Sequence, residues 1–130
     1  MSLSPNPTTT ILPITNPERA RHFYAERLGL AFVRLGPDGN QIFALNKNSS
    51  LALMEKPPGA QSEHTALSFE VDDVMSSVAE LEGNGVSFED YDLPGLKTVD
   101  HVCVLGSEKA AWFKDPDGNI LCLHEEESAD

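Results

Sequence analysis

The side chains of this 130-residue chain best suited to hold a metal or attack an electrophile are four histidines and two cysteines. Cys103 and Cys122 stand 19 residues apart with no CxxC pair, which fits neither a disulfide framework nor a zinc knuckle. Cys122 has His124 two positions on, and an imidazole beside a thiol can lower its pKa and make it a nucleophile. A small half-buried packing residue is the plainer role. His64 precedes Ala66 by two, so strand alternation puts it on the face of Ala66, and His124 shares a face with Cys122 in the same way. His64, Cys122 and His124, with Glu55 or His101, could therefore compose a metal site. Glu55 fits poorly, because its parity sets it opposite Ala52 unless a bulge intervenes.

Trp112, the single tryptophan, lies beside Ala110 and Ala111 and is either a flat wall for a planar ligand or plain core. Phe43 and Phe113 carry the same two readings, the core being the plainer. His101, within an irregular stretch from 93 to 106, is placed to face a ligand. Phe23 and Tyr24 read as packing, and Arg21 and His22 as solvated flanks. Asp72-Asp73 looks like a carboxylate dyad, but neighbours at a strand end point apart, so one of them is better read as a helix cap. The residues carried forward as ligand-binding are His64, Trp112, Cys122, Phe43 and His101.

Two similar sets of elements position these groups. Ile11 to Thr15 reads as a strand, Asn16 as a helix cap and Pro17 as the first helical position. Ala20, Phe23, Tyr24 and Leu28 recur at helical spacing, and Gly29 ends the helix. Strands follow at Leu30–Leu35, Gln41–Leu45 and Leu51–Glu55, the first two joined by the turn Pro37-Asp38-Gly39-Asn40. Then the order repeats. Ala66–Val71 alternates as a strand, a helix bears the stripe Val74, Val78 and Leu81, and Gly85 closes it. Val86–Phe88, Lys109–Lys114 and Asn119–His124 read as strands, the last two around a turn at Asp115–Asn119. The fold class is α+β: two β-α-β-β-β modules, about 8–56 and 63–125, joined by a linker at 57–62 that opens Pro57-Pro58-Gly59. Curved, mixed or antiparallel sheets of this kind can pair to enclose a cavity. Polar or acidic ends, Met1–Pro7 and Glu125–Asp130, are expected to fray.

Charge narrows the partners. Nine Lys plus Arg against 21 Asp plus Glu leave a formal charge of −12. Such a surface repels phosphate backbones and anionic lipid, so neither nucleic acid nor membrane is an expected partner. A cationic small molecule is compatible, although solubility alone accounts for many acidic surfaces. No charged-then-apolar leader opens the chain and no apolar run approaches the ~18 residues of a membrane span. A cytoplasmic location is the expectation.

Three segments in order, Asn16-Pro17-Glu18-Arg19-Ala20-Arg21-His22-Phe23-Tyr24 through Leu28-Gly29-Leu30, Phe69-Glu70-Val71-Asp72-Asp73-Val74, and Asp115-Pro116-Asp117-Gly118-Asn119, resemble the vicinal oxygen chelate superfamily of glyoxalases, bleomycin-resistance proteins and extradiol dioxygenases. Leu12-Pro13-Ile14 and the acidic balance look most like the bleomycin-resistance branch. The resemblance implies a homodimer that sequesters a bulky cationic drug without metal. It also implies that the enzymes hold a divalent metal with His, Gln or Glu from the first and last strands of each module. Counted from the helix caps and from Asp115, those positions fall on Thr9, Ala52, Ala66 and Cys122. Such a set lacks the oxygen and nitrogen donors that Mn, Fe or Ni prefers, so no cofactor is expected at the usual site. The expected function is metal-free binding of an amphipathic or cationic small molecule. The alternatives are a lyase, isomerase or dioxygenase with a displaced metal, or an accessory domain whose work is dimerisation.

Overall fold

A computed structural model describes residues 3, 4 and 6–126, and the chain divides between Gln61 and Ser62 into two compact units. Of the ends expected to fray, residues 1, 2, 5 and 127–130 lie outside the described residues. Glu125, by contrast, ends a strand and accepts a hydrogen bond at 2.9 Å from the backbone N–H of Val74. No helix among the described residues is long and apolar enough to cross a membrane.

The first unit contains β1 (Thr8–Ile14), α1 (Pro17–His22), β2 (Ala31–Leu35), β3 (Gln41–Asn46) and β4 (Ser49–Glu55), with sheet order β1-β4-β3-β2. β1 runs parallel to β4, and the other pairs are antiparallel. Asn16 caps α1 by accepting from the Arg19 N–H at 3.0 Å, with Pro17 in the first turn where a missing donor costs nothing. The sequence predicts one uniform helix to Leu28. Instead, α1 widens at Phe23–Arg27 into a π turn, with the Leu28 N–H reaching back to Phe23 O at 3.0 Å. Both neighbours Phe23 and Tyr24 are buried there. Under the helix, Leu12, Ile14, Leu51, Leu53 and Phe43 form the core, each such aliphatic contributing about 1.5–3 kcal/mol by leaving water. Arg21 is exposed, as expected, and also stacks its guanidinium 3.8 Å over the Phe32 ring.

The second unit holds β5 (Thr65–Glu70), α2 (Val74–Gly83), β6 (Asp92–Leu93), β7 (Leu96–Val99), β8 (Val102–Leu105), β9 (Glu108–Lys114) and β10 (Ile120–Glu125). Its order is β5-β10-β9-β8-β7-β6, with β5 parallel to β10. Asp73 rather than Asp72 is the cap of α2, accepting from the Ser76 N–H.

Two expectations fail here. Val86–Phe88 is not a strand: Phe88 makes a single bridge to Phe113. And 93–106 is not irregular: it forms a meander, in which β8 takes the place beside β9 that β2 takes beside β3. Turn chemistry explains the error. Pro94-Gly95 and Gly106-Ser107 are two-residue hairpin turns, and Asp100-His101 is a third with positive φ at both residues, 52° and 72°. Non-glycine residues seldom take that conformation, so the pair does not announce itself as a turn.

Candidate functional site

β9 and β10, in the middle of the second sheet, pack one side against α2. Glu125 reaches the helix N-terminus, so Leu121 and Leu123, which share its parity, lie on that side with Phe113 and Ala111 of β9. The other side receives Cys122 and His124 from β10, Trp112 and Ala110 from β9, Ser68 and Glu70 from β5, and Cys103 from β8. The turn at Asp115–Asn119 holds β9 and β10 in this register. Buried Asp115 Oδ1 accepts from the N–H groups of Asp117 and Asn119, both at 2.9 Å, and its Oδ2 accepts from Asn119 Nδ2 at 2.8 Å.

On this face the polar groups form short chains. Ser68 Oγ lies 2.6 Å from His124 Nδ1, and the Ser68 hydroxyl also lies against the Cys122 thiol. His124 Nε2 faces the carboxylates of Glu70 and Glu126 at 3.8 and 3.9 Å. The serine hydroxyl and Nδ1 share the hydrogen bond between them, its direction set by the imidazole tautomer. Glu126 crowds Glu70 and raises its pKa above the ordinary carboxylate value, first by sharing a hydrogen bond with it and then by charge repulsion. Trp112 donates its indole N–H to Thr65 Oγ1 at 3.2 Å and meets the Tyr91 ring edge-on, centroids 5.6 Å apart.

Cys122 is 5% exposed, and burial pushes its pKa above the usual thiol range, outweighing the Ser68 hydroxyl and Ala111 backbone contacts that favour the thiolate. It donates to Leu123 O at 3.3 Å. A neutral thiol engaged in this way is a packing and polar contact, not an activated nucleophile. Beside the Ser68–His124 pair, the carboxylates of Glu70 and Glu126 stand beyond hydrogen-bond reach of the imidazole.

Of the five candidates, Trp112 and Cys122 are cross-strand neighbours on this face. His64 and His101 lie off this face, and Phe43 belongs to the first unit. His64 precedes β5, is exposed, and has Nδ1 3.1 Å from Thr65 O. Its expected placement rested on unbroken alternation. However, Thr65 pairs with Ile120 and Leu67 with Leu121, so Ala66 is an extra, bulged residue, and Thr65 takes the position beside Trp112. His101 occupies the tip of the β7–β8 hairpin, where Nδ1 meets Asp90 at 2.9 Å, Nε2 meets Glu82 of α2 at 3.3 Å, and the ring stacks on Phe88. Phe43, in the first unit, is fully buried against Tyr24 and Phe32, so core packing accounts for all of it. Sequence reasoning overlooked Ser68, Thr65 and Tyr91. Ser68 shares parity with Ala66 and could have been found; Thr65 and Tyr91 carry no signal without the bulge and the meander.

The family model for the Glyoxalase/Bleomycin resistance protein/Dioxygenase superfamily matches residues 7–123. The chain belongs to that superfamily. Among solved structures it is similar to TnmS3, an antibiotic binding protein from Streptomyces sp. CB03234, at 25% identity over 94% of this chain and 96% of that one, TM-score 0.67. A glyoxalase/bleomycin resistance protein from the same Streptomyces is 26% identical over 91% and 98%, TM-score 0.63. A superfamily member from Sphaerobacter thermophilus DSM 20745, 22% identical over 92% and 96% with TM-score 0.70, shares the fold. No curated protein matches the chain.

The metal that the superfamily implies can be tested against the four counted positions, unit by unit. In the first unit, Thr9 shares a 2.9 Å hydrogen bond with Ser50 Oγ, and Ala52 has no donor atom. In the second, Ala66 is the bulged residue, without a donor, and Cys122 offers a single buried thiol whose pKa burial raises. One hydroxyl and one thiol lack the nitrogen and oxygen donors of a divalent-metal site. Among the described residues, a single group of three metal-capable side chains has its ligand atoms within 4.8 Å: Glu70, His124 and Glu126, away from the counted positions.

Proposed function

We propose that this superfamily member is a small-molecule-binding protein that works without the superfamily's metal, holding an amphipathic cation on the Trp112 face of the second sheet. The observation that carries the reading is the donor set: Thr9, Ala52, Ala66 and Cys122 stand where the enzymes need nitrogen and oxygen ligands. The rest of the face suits binding. Trp112 with Tyr91 offers aromatic surface to a planar or cationic group, and Thr65, Ser68 and His124 offer hydrogen bonds. Carboxylates at the rim and a formal charge of −12 favour a cation over an anion. The antibiotic-binding relative supports the ligand class. A homodimer belongs to the proposal, supported by apolar residues that the β6–β8 meander leaves exposed, Leu93, Val99, Val104 and Leu105.

The competing reading is a lyase, isomerase or dioxygenase with a displaced metal, and the Glu70–His124–Glu126 group favours it. Exhaustive dialysis against excess Mn, Fe, Ni and Zn, followed by metal analysis, separates the two. The binding reading predicts no stoichiometric retention. Retention of one ion per chain that His124→Ala abolishes would replace it with the enzyme reading.

A further inference from the structure

We infer that His101, which lies off the Trp112 face, is a positioning residue for it: through Asp90 and Thr98 its imidazole fixes where Tyr91 meets the indole. Its effect on ligand affinity rests on the binding function proposed above. Its effect on the Tyr91–Trp112 contact does not.

The backbone at the hairpin tip is the first observation. Asp100 and His101 have φ of 52° and 72°, and every other positive-φ position among the described residues is a glycine. The hairpin turns on either side meet the same need with Gly95 and Gly106. A two-residue turn with positive φ throughout favours glycine at its second position, so histidine there is strained. What histidine adds is its side chain.

That side chain is the second observation. The ring lies against Phe88, centroids 6.2 Å apart, with a carboxylate at each nitrogen. Asp90 Oδ1 is 2.9 Å from Nδ1, and Glu82 Oε2, on α2, is 3.3 Å from Nε2. An ionised carboxylate only accepts, so Nδ1 donates where it meets Asp90. The same Asp90 oxygen accepts at 3.2 Å from the Thr98 hydroxyl, whose proton Tyr91 O shares at 3.3 Å. Thr98 Oγ1 accepts from the Tyr91 N–H at 2.9 Å, and the Thr98 N–H donates to Tyr91 O at 2.9 Å. Contacts thus run unbroken from the hairpin tip to the residue whose ring meets Trp112 edge-on. On the other side, the Glu89 N–H bonds to Trp112 O at 2.8 Å. Asp90 stands between that anchor and β6, so its side-chain partners set the turn that delivers Tyr91.

The test compares His101→Gly with His101→Asn in the full chain. Glycine suits the turn and removes the imidazole, whereas asparagine tolerates positive φ and keeps an amide N–H near the place of Nδ1. A histidine that served the turn alone would be replaced by glycine without consequence. The expected result is a folded His101→Gly chain that loses the NMR cross-peaks between the Tyr91 ring and the Trp112 indole, with His101→Asn restoring them. Affinity for benzyltrimethylammonium chloride, read by Trp112 fluorescence, should fall about fivefold in His101→Gly, by loss of an aligned aromatic contact. Tyr91→Leu should weaken it similarly, and adding His101→Gly to Tyr91→Leu should weaken it no further. Unchanged cross-peaks in His101→Gly, no rescue by asparagine, or additive losses in the double variant would overturn the inference. If the wild type binds no cation, the proposed binding function falls, and the cross-peaks alone decide the role of His101.

Discussion

At the scale of single residues, the decisive group is Cys122, one of the four positions counted for a metal ligand. Burial raises its pKa, so the folded state prefers the protonated thiol. The sign follows from linkage. A raised folded-state pKa contributes stability in full below the unfolded value of about 8.5, and that contribution is lost as pH rises through the folded value. Denaturation curves should therefore show stability falling above the ordinary thiol range, and Cys122→Ala should lack that component. Iodoacetamide should alkylate Cys122 in the native chain far more slowly than in the unfolded chain. Equal rates at neutral pH would show an activated thiol and reopen a nucleophilic role. Residue types alone brought Cys122 and Trp112 to notice, and the structure makes them neighbours. Phe43 illustrates the limit: an aromatic at an alternating position reads identically whether it faces helix or ligand, and only the packed Tyr24 and Phe32 rings decide.

At the scale of elements, most of the fold was legible because apolar periodicity, caps and turn residues agreed with one another. Asn16-Pro17, Asp73 and Asp115–Asn119 each mark a boundary by local chemistry that the structure reproduces. Failures came where long-range pairing overrode local signals. Val86–Phe88 has strand character but only one bridge, while the meander from β6 to β8 contains a turn of two non-glycine residues at positive φ. The Ala66 bulge is likewise invisible in sequence, and it removed His64 from the face where alternation had placed it. The Asp115 turn fixes the register of Trp112 against Cys122. Asp115→Ala, which deletes three hydrogen bonds from a buried site, should cost about 2–4 kcal/mol in chemical denaturation. Ligand affinity of the fraction that stays folded should fall as well. A loss below about 0.5 kcal/mol, the range of an ordinary surface change, would show that the turn does not set the register.

At the scale of the whole molecule, the formal charge of −12 supports the proposed capture of a cation. Salt should weaken binding of a cation at the Trp112 face, since the long-range part of the attraction is screened within about 10 Å at 0.1 M ionic strength. The most direct test of metal-free binding uses the single tryptophan, Trp112, as its own reporter. Intrinsic fluorescence should be titrated with bleomycin and with simple aromatic cations, first in excess chelator and then in excess Mn, Ni or Zn. The account predicts a saturable change with at least one cationic amphiphile, of the same affinity in chelator as in metal. Binding that appears only when metal is present, or no change with any cation, would contradict it.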